Sequence, residues 1–333
     1  MHRFQFKAYR RRFSKEWATA SQAWSSREGI IVRLEDGDGR PGYGEIAPIE
    51  GFGSESFLTA LGVCTAIGDR LEIETLDEVL MGSPATRFAL EAAIDMIGSH
   101  DVWPDVEAPW PVCGLARDLL DEECWQTLLE HGYRCMKFKI GVGDFSEERR
   151  MIERIVSQTA GEIALRLDAN GGLDSRRAVE WLEFLADVPG IEYLEQPMAK
   201  GEEDTMERLC LDYPTTLALD ESVCRVDDLK RWRDRQWPGV FVLKPLLSGS
   251  VLGLVEELEQ GEIDVVYSSA LETQVGAVNG LAIALRNPAG RRALGFDTNR
   301  LFSDRLTGFD IGPFLQPGAC PSFQDLEDLW NRI

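Results

Sequence analysis

The chain has 333 residues, with 57 acidic against 35 basic side chains, a formal net charge of −22, and a hydrophobic share of 44%. That length accommodates a barrel plus a smaller domain, and the apolar share is ordinary for a protein with a large core. The acidic balance excludes a phosphate-backbone binder, so no nucleic-acid partner is expected, and no apolar stretch approaches a membrane span.

The opening segment MHRFQFKAYRRRF lacks an apolar core of the signal-peptide kind, so no secretory leader is expected. FQFKAYRRRF and GIIVRLED read as strands, Asp36-Gly37-Asp38-Gly39 as a turn, and GYGEI as a third strand, together an antiparallel meander. The cluster Arg10-Arg11-Arg12 sits in the alternating pattern and is expected on a solvated face. Helical patterns follow over residues 56–71, 76–81 and 84–97, the last with Pro84 at a first helical position. This predicts an α+β capping domain over residues 1–100.

From Trp110 the rhythm changes to strand then helix. Strands are predicted at 110–116, 135–140, 164–169, 192–196, 216–220, 240–245, 264–269 and 293–297, with helices between them at 147–158, 175–186 and 251–259. Eight strands at this spacing predict an α/β fold of the modified (β/α)8 type, a (β/α)7β barrel over residues 101–300, rather than a doubly wound sheet. The tail over 301–333, ending in a helical pattern from Ser322, is surplus to the barrel and is expected to pack back on the cap. The seven cysteines are odd in number and form no CxxC pair, which predicts reduced thiols in a cytoplasm. His2, His100 and His131 all lie away from the strand ends that carry acids, so a histidine metal centre or a Ser-His-Asp triad is hard to build.

Three strands end in an acid: Asp168 in ALRLDAN, Glu195 in IEYLEQP and Asp220 in TLALDES, at steps of 27 and 25 residues (195−168, 220−195). Lys139 in CMKFKIG closes the strand before them and Lys244 in VFVLKPL the strand after. Taken alone, each acid could cap the next helix or shape a turn. Together they recur at one strand–helix unit, and strand parity points Lys137 with Lys139, and Arg166 with Asp168 and Asn170, to a common face. Charges under the helix layer would be costly, so that face is expected to be the mouth of the barrel lumen. Three carboxylates without His or Cys select Mg²⁺ first and Mn²⁺ as its substitute. Lysines beside such an ion have lowered pKa values and can abstract a proton next to a carboxylate.

In this order KFK, LDAN, LEQP, LDES and LKP resemble the muconate-lactonizing subgroup of the enolase superfamily, and within it the o-succinylbenzoate synthase family. GYGEIAPIEGFGSES is similar to that family's capping segment and SSALETQVG to its seventh-strand segment, so the resemblance covers nearly the whole chain. It implies a cytoplasmic, Mg²⁺-dependent enzyme acting on a small molecule. The implied reaction is a syn elimination of water from 2-succinyl-6-hydroxy-2,4-cyclohexadiene-1-carboxylate to 2-succinylbenzoate, a step toward menaquinone or phylloquinone. It implies Lys139 as the base, Lys244 steadying the charge from the opposite face, Lys137 tuning Lys139, and Asn170 behind the ligands Asp168, Glu195 and Asp220. Arg166 faces the same lumen and either touches substrate or pairs with an acid. Ser268, Ser269 and Glu272 follow the seventh strand, where the family gathers succinyl contacts; a turn and helix cap would place them equally well. Two glycine- and polar-rich segments, 19–27 with Arg27 and 51–56 with Gly51 (Phe52 beside it), are expected to fold over the mouth as lids.

The same lysines could instead run a proton transfer from one face to the other, as in dipeptide epimerases and N-succinylamino acid racemases. The stretch Gly295–Asn299 lacks the Asp-x-Asp that epimerases carry on the eighth strand, which counts against the first. Muconate cycloisomerases are usually longer. A catalytically inactive barrel kept as a binding protein would be expected to lose a ligand or a lysine, and all five are present.

Overall fold

The computed structural model describes residues 1–18, 23–76, 80–99, 108–116, 118–261, 263–287, 291–304, 306, 311–316 and 318–333. Strands β1 (His2–Ala18), β2 (Ala23–Glu35), β3 (Pro41–Ile46) and β4 (Arg70–Leu71) form an antiparallel sheet in the order β3-β2-β1-β4. Asp36 closes the β2–β3 turn by accepting the amides of Asp38 and Arg40. Pairing of β1 with β2 resumes beyond a bulge between Arg12 and Trp17, so residues 23–27, expected in a loop, are strand. Alternation also splits the arginine cluster. Arg10 and Arg12 are exposed as expected, but Arg11 points inward and is fully buried. Its guanidinium lies 3.6 Å from the Phe302 ring centroid and 3.1 Å from Asp304.

Both faces of this sheet are covered. Helix α1 (Phe57–Ile67) and helix α2 (Pro84–Gly98) share a core with Ile30, Val32 and Leu34. The glycines of GYGEI permit this close approach: a Cβ on Gly44 would sit 1.9 Å from the Ala89 carbonyl oxygen. On the other side Tyr9, Ile31 and Tyr43 pack with Leu326, Leu329 and Trp330 of the terminal helix Phe323–Arg332. Helix α1 stops at Gly68, short of the expected end, and residues 70–71 join the sheet instead. Of the helix expected over 76–81, residues 77–79 lie outside the described residues.

The remaining strands follow the predicted rhythm. β6 (Gly114–Ala116), β7 (Cys135–Lys139), β8 (Ala164–Asp168), β9 (Ile191–Glu195), β10 (Leu217–Leu219), β11 (Val240–Leu243) and β12 (Val265–Tyr267) form one parallel sheet in sequential order. A helix follows each of them, from Glu122–Glu130 to Gln274–Arg286. The expected strand at 110–116 is split, because β5 (Trp110–Pro111) turns aside to pair with β13 (Phe314–Leu315). The eighth strand is reduced to two bridges, Ser268 with Gly295 and Val112 with Leu294. Those bridges close the ring, giving the (β/α)7β barrel. Tyr193, Ala218, Val240, Val242 and Val266 fill a layer of its interior.

Candidate functional site

The strand-end acids are not helix caps. Asp121, Asp144 and Asp174 accept the first amides of their helices, as do Ser250 and Thr273. That leaves Asp168, Glu195 and Asp220 free to turn inward, and all three are buried. The ladder sets Lys139 beside Asp168 and Asp168 beside Glu195. One cavity at this end of the barrel is lined by Lys137, Lys139, Asp168, Asn170, Glu195, Asp220 and Lys244 together. β7 and β11 lie four strands apart in a ring of eight, which puts Lys139 and Lys244 on opposite sides of it.

Charge is tightly interleaved here. Lys137 Nζ donates to Glu195 Oε1 at 2.6 Å and lies 2.9 Å from Asp168 Oδ2. Lys244 Nζ donates to Asp220 and sits 4.3 Å from the Phe52 ring centroid. Asn170 supports Asp168 through its backbone amide at 2.8 Å and its side chain at 3.2 Å. Burial lowers the Lys139 pKa despite Asp168 beside it. At Lys244 burial acts in the same direction, but Asp220, Glu221 and Glu195 together outweigh it and the net shift is upward.

The donor set fits a hard divalent cation. Burial first, then Asp168, push the Glu195 carboxyl well above its usual range, and Glu195 Oε2 is buried without a hydrogen-bond partner. Among the described residues no three acidic, His or Cys side chains are already grouped to hold an ion. The ammonium groups of Lys137 and Lys244 stand against the carboxylates instead. An ion held there would take the place of those contacts and offset the repulsion that Asp168 and Asp220 exert on Glu195.

A fourth carboxylate escaped the sequence. Glu221 accepts from Asn170 Nδ2 at 3.2 Å, and burial, then Asp220, push it up to about 8. Alternation would send it away from Asp220, but β10 ends at Leu219, so that rule has lapsed there. Gln196 was also missed. Its buried carbonyl accepts the Asp220 amide at 3.0 Å, fixing the backbone that carries the acid.

Other candidates have narrower places. Arg166 lines the cavity floor but is spent on an acid, Nε to Glu192 at 2.7 Å, and on the Ala293 carbonyl at 2.8 Å. Ser268 and Ser269 line the cavity, whereas Glu272 does not. Ser269 Oγ donates to Glu272 at 2.9 Å and accepts the Leu271 amide at 2.9 Å, so this pair builds the turn before the Gln274–Arg286 helix. Arg27 is buried and does not line the cavity, donating to the carbonyls of Ala270 at 3.2 Å and Pro48 at 2.6 Å. It ties the segment before Ile49 to the turn between Ser269 and Leu271, chain neighbours of its two acceptors that do line the cavity. Residues 19–22 of the expected lid lie outside the described residues. In the second segment Phe52 lines the cavity with Ile49, while Gly51 is exposed and does not. His2 and His131 are not cavity residues, and His100 lies outside the described residues.

Glu272 yields a pH prediction. Burial, then the neighbouring Glu45 carboxylate, push its acid from an ordinary 4.5 up to about 7. The folded state then binds this proton more tightly than the unfolded chain does. Stability is therefore lost as pH rises from 4.5 to about 7, by roughly 3 kcal/mol at most. Glu272→Gln removes that loss, so its melting temperature should gain on the wild type across this window. Parallel curves of melting temperature against pH would contradict the assignment.

Comparison with known proteins bears on the family and the fold. A family model described as enolase C-terminal domain-like matches residues 120–262. The o-succinylbenzoate synthase of Thermosynechococcus vestitus is 35% identical over 306 residues, covering 90% of this chain and 93% of that protein. The crystal structure of o-succinylbenzoate synthase from Thermosynechococcus elongatus BP-1, with magnesium in its active site, superimposes with a TM-score of 0.84 at 31% identity, over 99% of this chain and 100% of that one. An N-succinyl Arg/Lys racemase from Bacillus cereus shares the fold, with a TM-score of 0.82 at 18% identity over 98% of this chain and 96% of that one.

Proposed function

We propose, from the premise that this chain belongs to the o-succinylbenzoate synthase family of the enolase superfamily, that it is a Mg²⁺-dependent carbon–oxygen lyase. Its reaction is the syn dehydration of the succinyl-hydroxycyclohexadiene carboxylate to 2-succinylbenzoate, on a route to menaquinone or phylloquinone. The observation that carries the reading is the meeting of Lys139 and Lys244 across one cavity with Asp168, Glu195 and Asp220.

Asp168, Glu195 and Asp220 would hold Mg²⁺, with Mn²⁺ as a substitute, and the bound ion supplies positive charge to the substrate carboxylate as its α-proton leaves. Lys139 is the base. Its burial favours the neutral amine, which takes the α-proton and then delivers a proton to the departing hydroxyl on the same face. Water leaves and the ring becomes aromatic. Lys244, kept charged by Asp220 and packed against Phe52, faces the developing negative charge from the other side. Lys137 raises the positive field beside Lys139, and Asn170 orients Asp168. Ser268 and Ser269 stand where the succinyl arm would lie.

The cap supplies Trp24, Ile49 and Phe52 to the cavity wall and excludes water from it. We assign the cap to residues 1–100 and 301–333 and the catalytic barrel to 101–300. The test is direct: the purified protein given the cyclohexadiene substrate and Mg²⁺ should form 2-succinylbenzoate, read by ultraviolet absorbance. No product under those conditions would end the proposal.

A further inference from the structure

Beneath the lysines, two cysteines face one another. Gly114 pairs with Met136, so Cys113 and Cys135 are neighbours one step down the same parallel ladder. Adjacent strands lie about 4.8 Å apart, inside the Cα separation a disulfide spans. Parity with Leu115 and Lys137 turns both thiols into the lumen, where they pack in one cluster with Ala293; Cys113 Sγ donates to the Gly114 carbonyl at 3.9 Å and Cys135 Sγ to Glu192 Oε2 at 3.5 Å. Cys113 lines the cavity; Cys135 is buried and is not among its lining residues.

We propose that Cys113 and Cys135 form a peroxide-oxidisable dithiol, a modification site in the cavity floor where Cys113 attacks and Cys135 resolves. Access favours this order, since the cavity reaches Cys113. Electrostatics agree. Burial raises both thiols, but at Cys113 the neighbouring Cys135, the Arg166 guanidinium and Lys137 together outweigh it and the net shift is downward, while Cys135 is pushed well up.

In the first step the Cys113 sulfur attacks one oxygen of hydrogen peroxide. The O–O bond breaks, hydroxide departs and takes up the thiol proton as water, and Cys113 becomes a sulfenic acid. The Cys135 sulfur then attacks the Cys113 sulfur. The S–S bond forms, the S–O bond breaks, and the oxygen leaves as a second water with the Cys135 proton. Two thiols and one peroxide thus give one disulfide and two waters. Cys135 lies on the strand that carries Lys137 and Lys139, so the cross-link reaches the base of the catalytic strand.

The experiment treats the full-length protein with hydrogen peroxide, then alkylates and digests it without reductant. The expected product is a linked Cys113–Cys135 peptide pair, lighter by two hydrogen atoms and separated again by a thiol reductant. In Cys135→Ser, Cys113 should instead gain one oxygen and be captured by dimedone. Recovery of both cysteines fully alkylated in the wild type would overturn the proposal, as would dimedone capture at Cys135 in Cys113→Ser with none at Cys113 in the other variant. The wild-type peptide map decides alone if a variant fails to fold. Its readout is mass, so its failure is separable from failure of the dehydratase reading.

Discussion

Lys139→Arg should lose dehydratase activity by on the order of 10²- to 10⁴-fold, the usual worth of a positioned acid–base group, while Lys244→Arg retains more. The reason is a difference in role. An elimination on one face needs one base, and Lys139, whose pKa burial lowers, is the base we propose. Lys244 contributes charge, which a guanidinium keeps while giving up a titratable amine. Arg is larger than Lys, so the Phe52 ring and Asp220 must adjust around it, and the comparison between the two variants decides more than either rate. Equal and complete loss in both, together with efficient racemization by the wild type, would favour a proton transfer between faces.

The second large effect is on the metal. Asp220→Asn should lower Mg²⁺ affinity by more than the roughly 10- to 100-fold typical of a lost outer partner, measured by calorimetric titration of the variant against the wild type. Asparagine is the informative choice. Both variants remove the charge facing Lys244, but Asp220→Ala would also strip the oxygen that accepts its hydrogen bond, which adds the cost of an unsatisfied buried donor, about 1–3 kcal/mol or more. A fall in stability would then be confused with loss of the ion. Glu195→Gln is the companion variant, because Glu195 Oε2 has no hydrogen-bond partner to lose. Unchanged Mg²⁺ affinity in either variant would contradict the ligand set.

The charged frame of the site was legible because it obeys two simple periods. One strand–helix unit separates the acids, and parity two aligns Lys137 with Lys139 and Arg166 with Asp168. Where a period lapses, legibility lapses with it. Glu221 lies beyond the end of β10, so no parity rule could turn it inward. Arg11 was hidden by its charged neighbours, since a run of three arginines reads as solvated until the pairing with β2 shows which one faces in. The division of labour at Ser269 and Glu272 depends on a turn with Leu271 at a φ of 64°, a tertiary feature without a sequence period. Arg166 lines the cavity, but its partner Glu192 is invisible to parity because register shifts where β8 meets β9.

The most direct test sets two assays beside each other on one preparation of the wild-type protein with Mg²⁺. Ultraviolet absorbance follows 2-succinylbenzoate formation, and polarimetry follows racemization of N-succinyl amino acids. Rapid formation of the aromatic product is expected, abolished by a chelator and restored by added Mg²⁺, with racemization slower or absent. Racemization without dehydration would contradict the dehydratase reading.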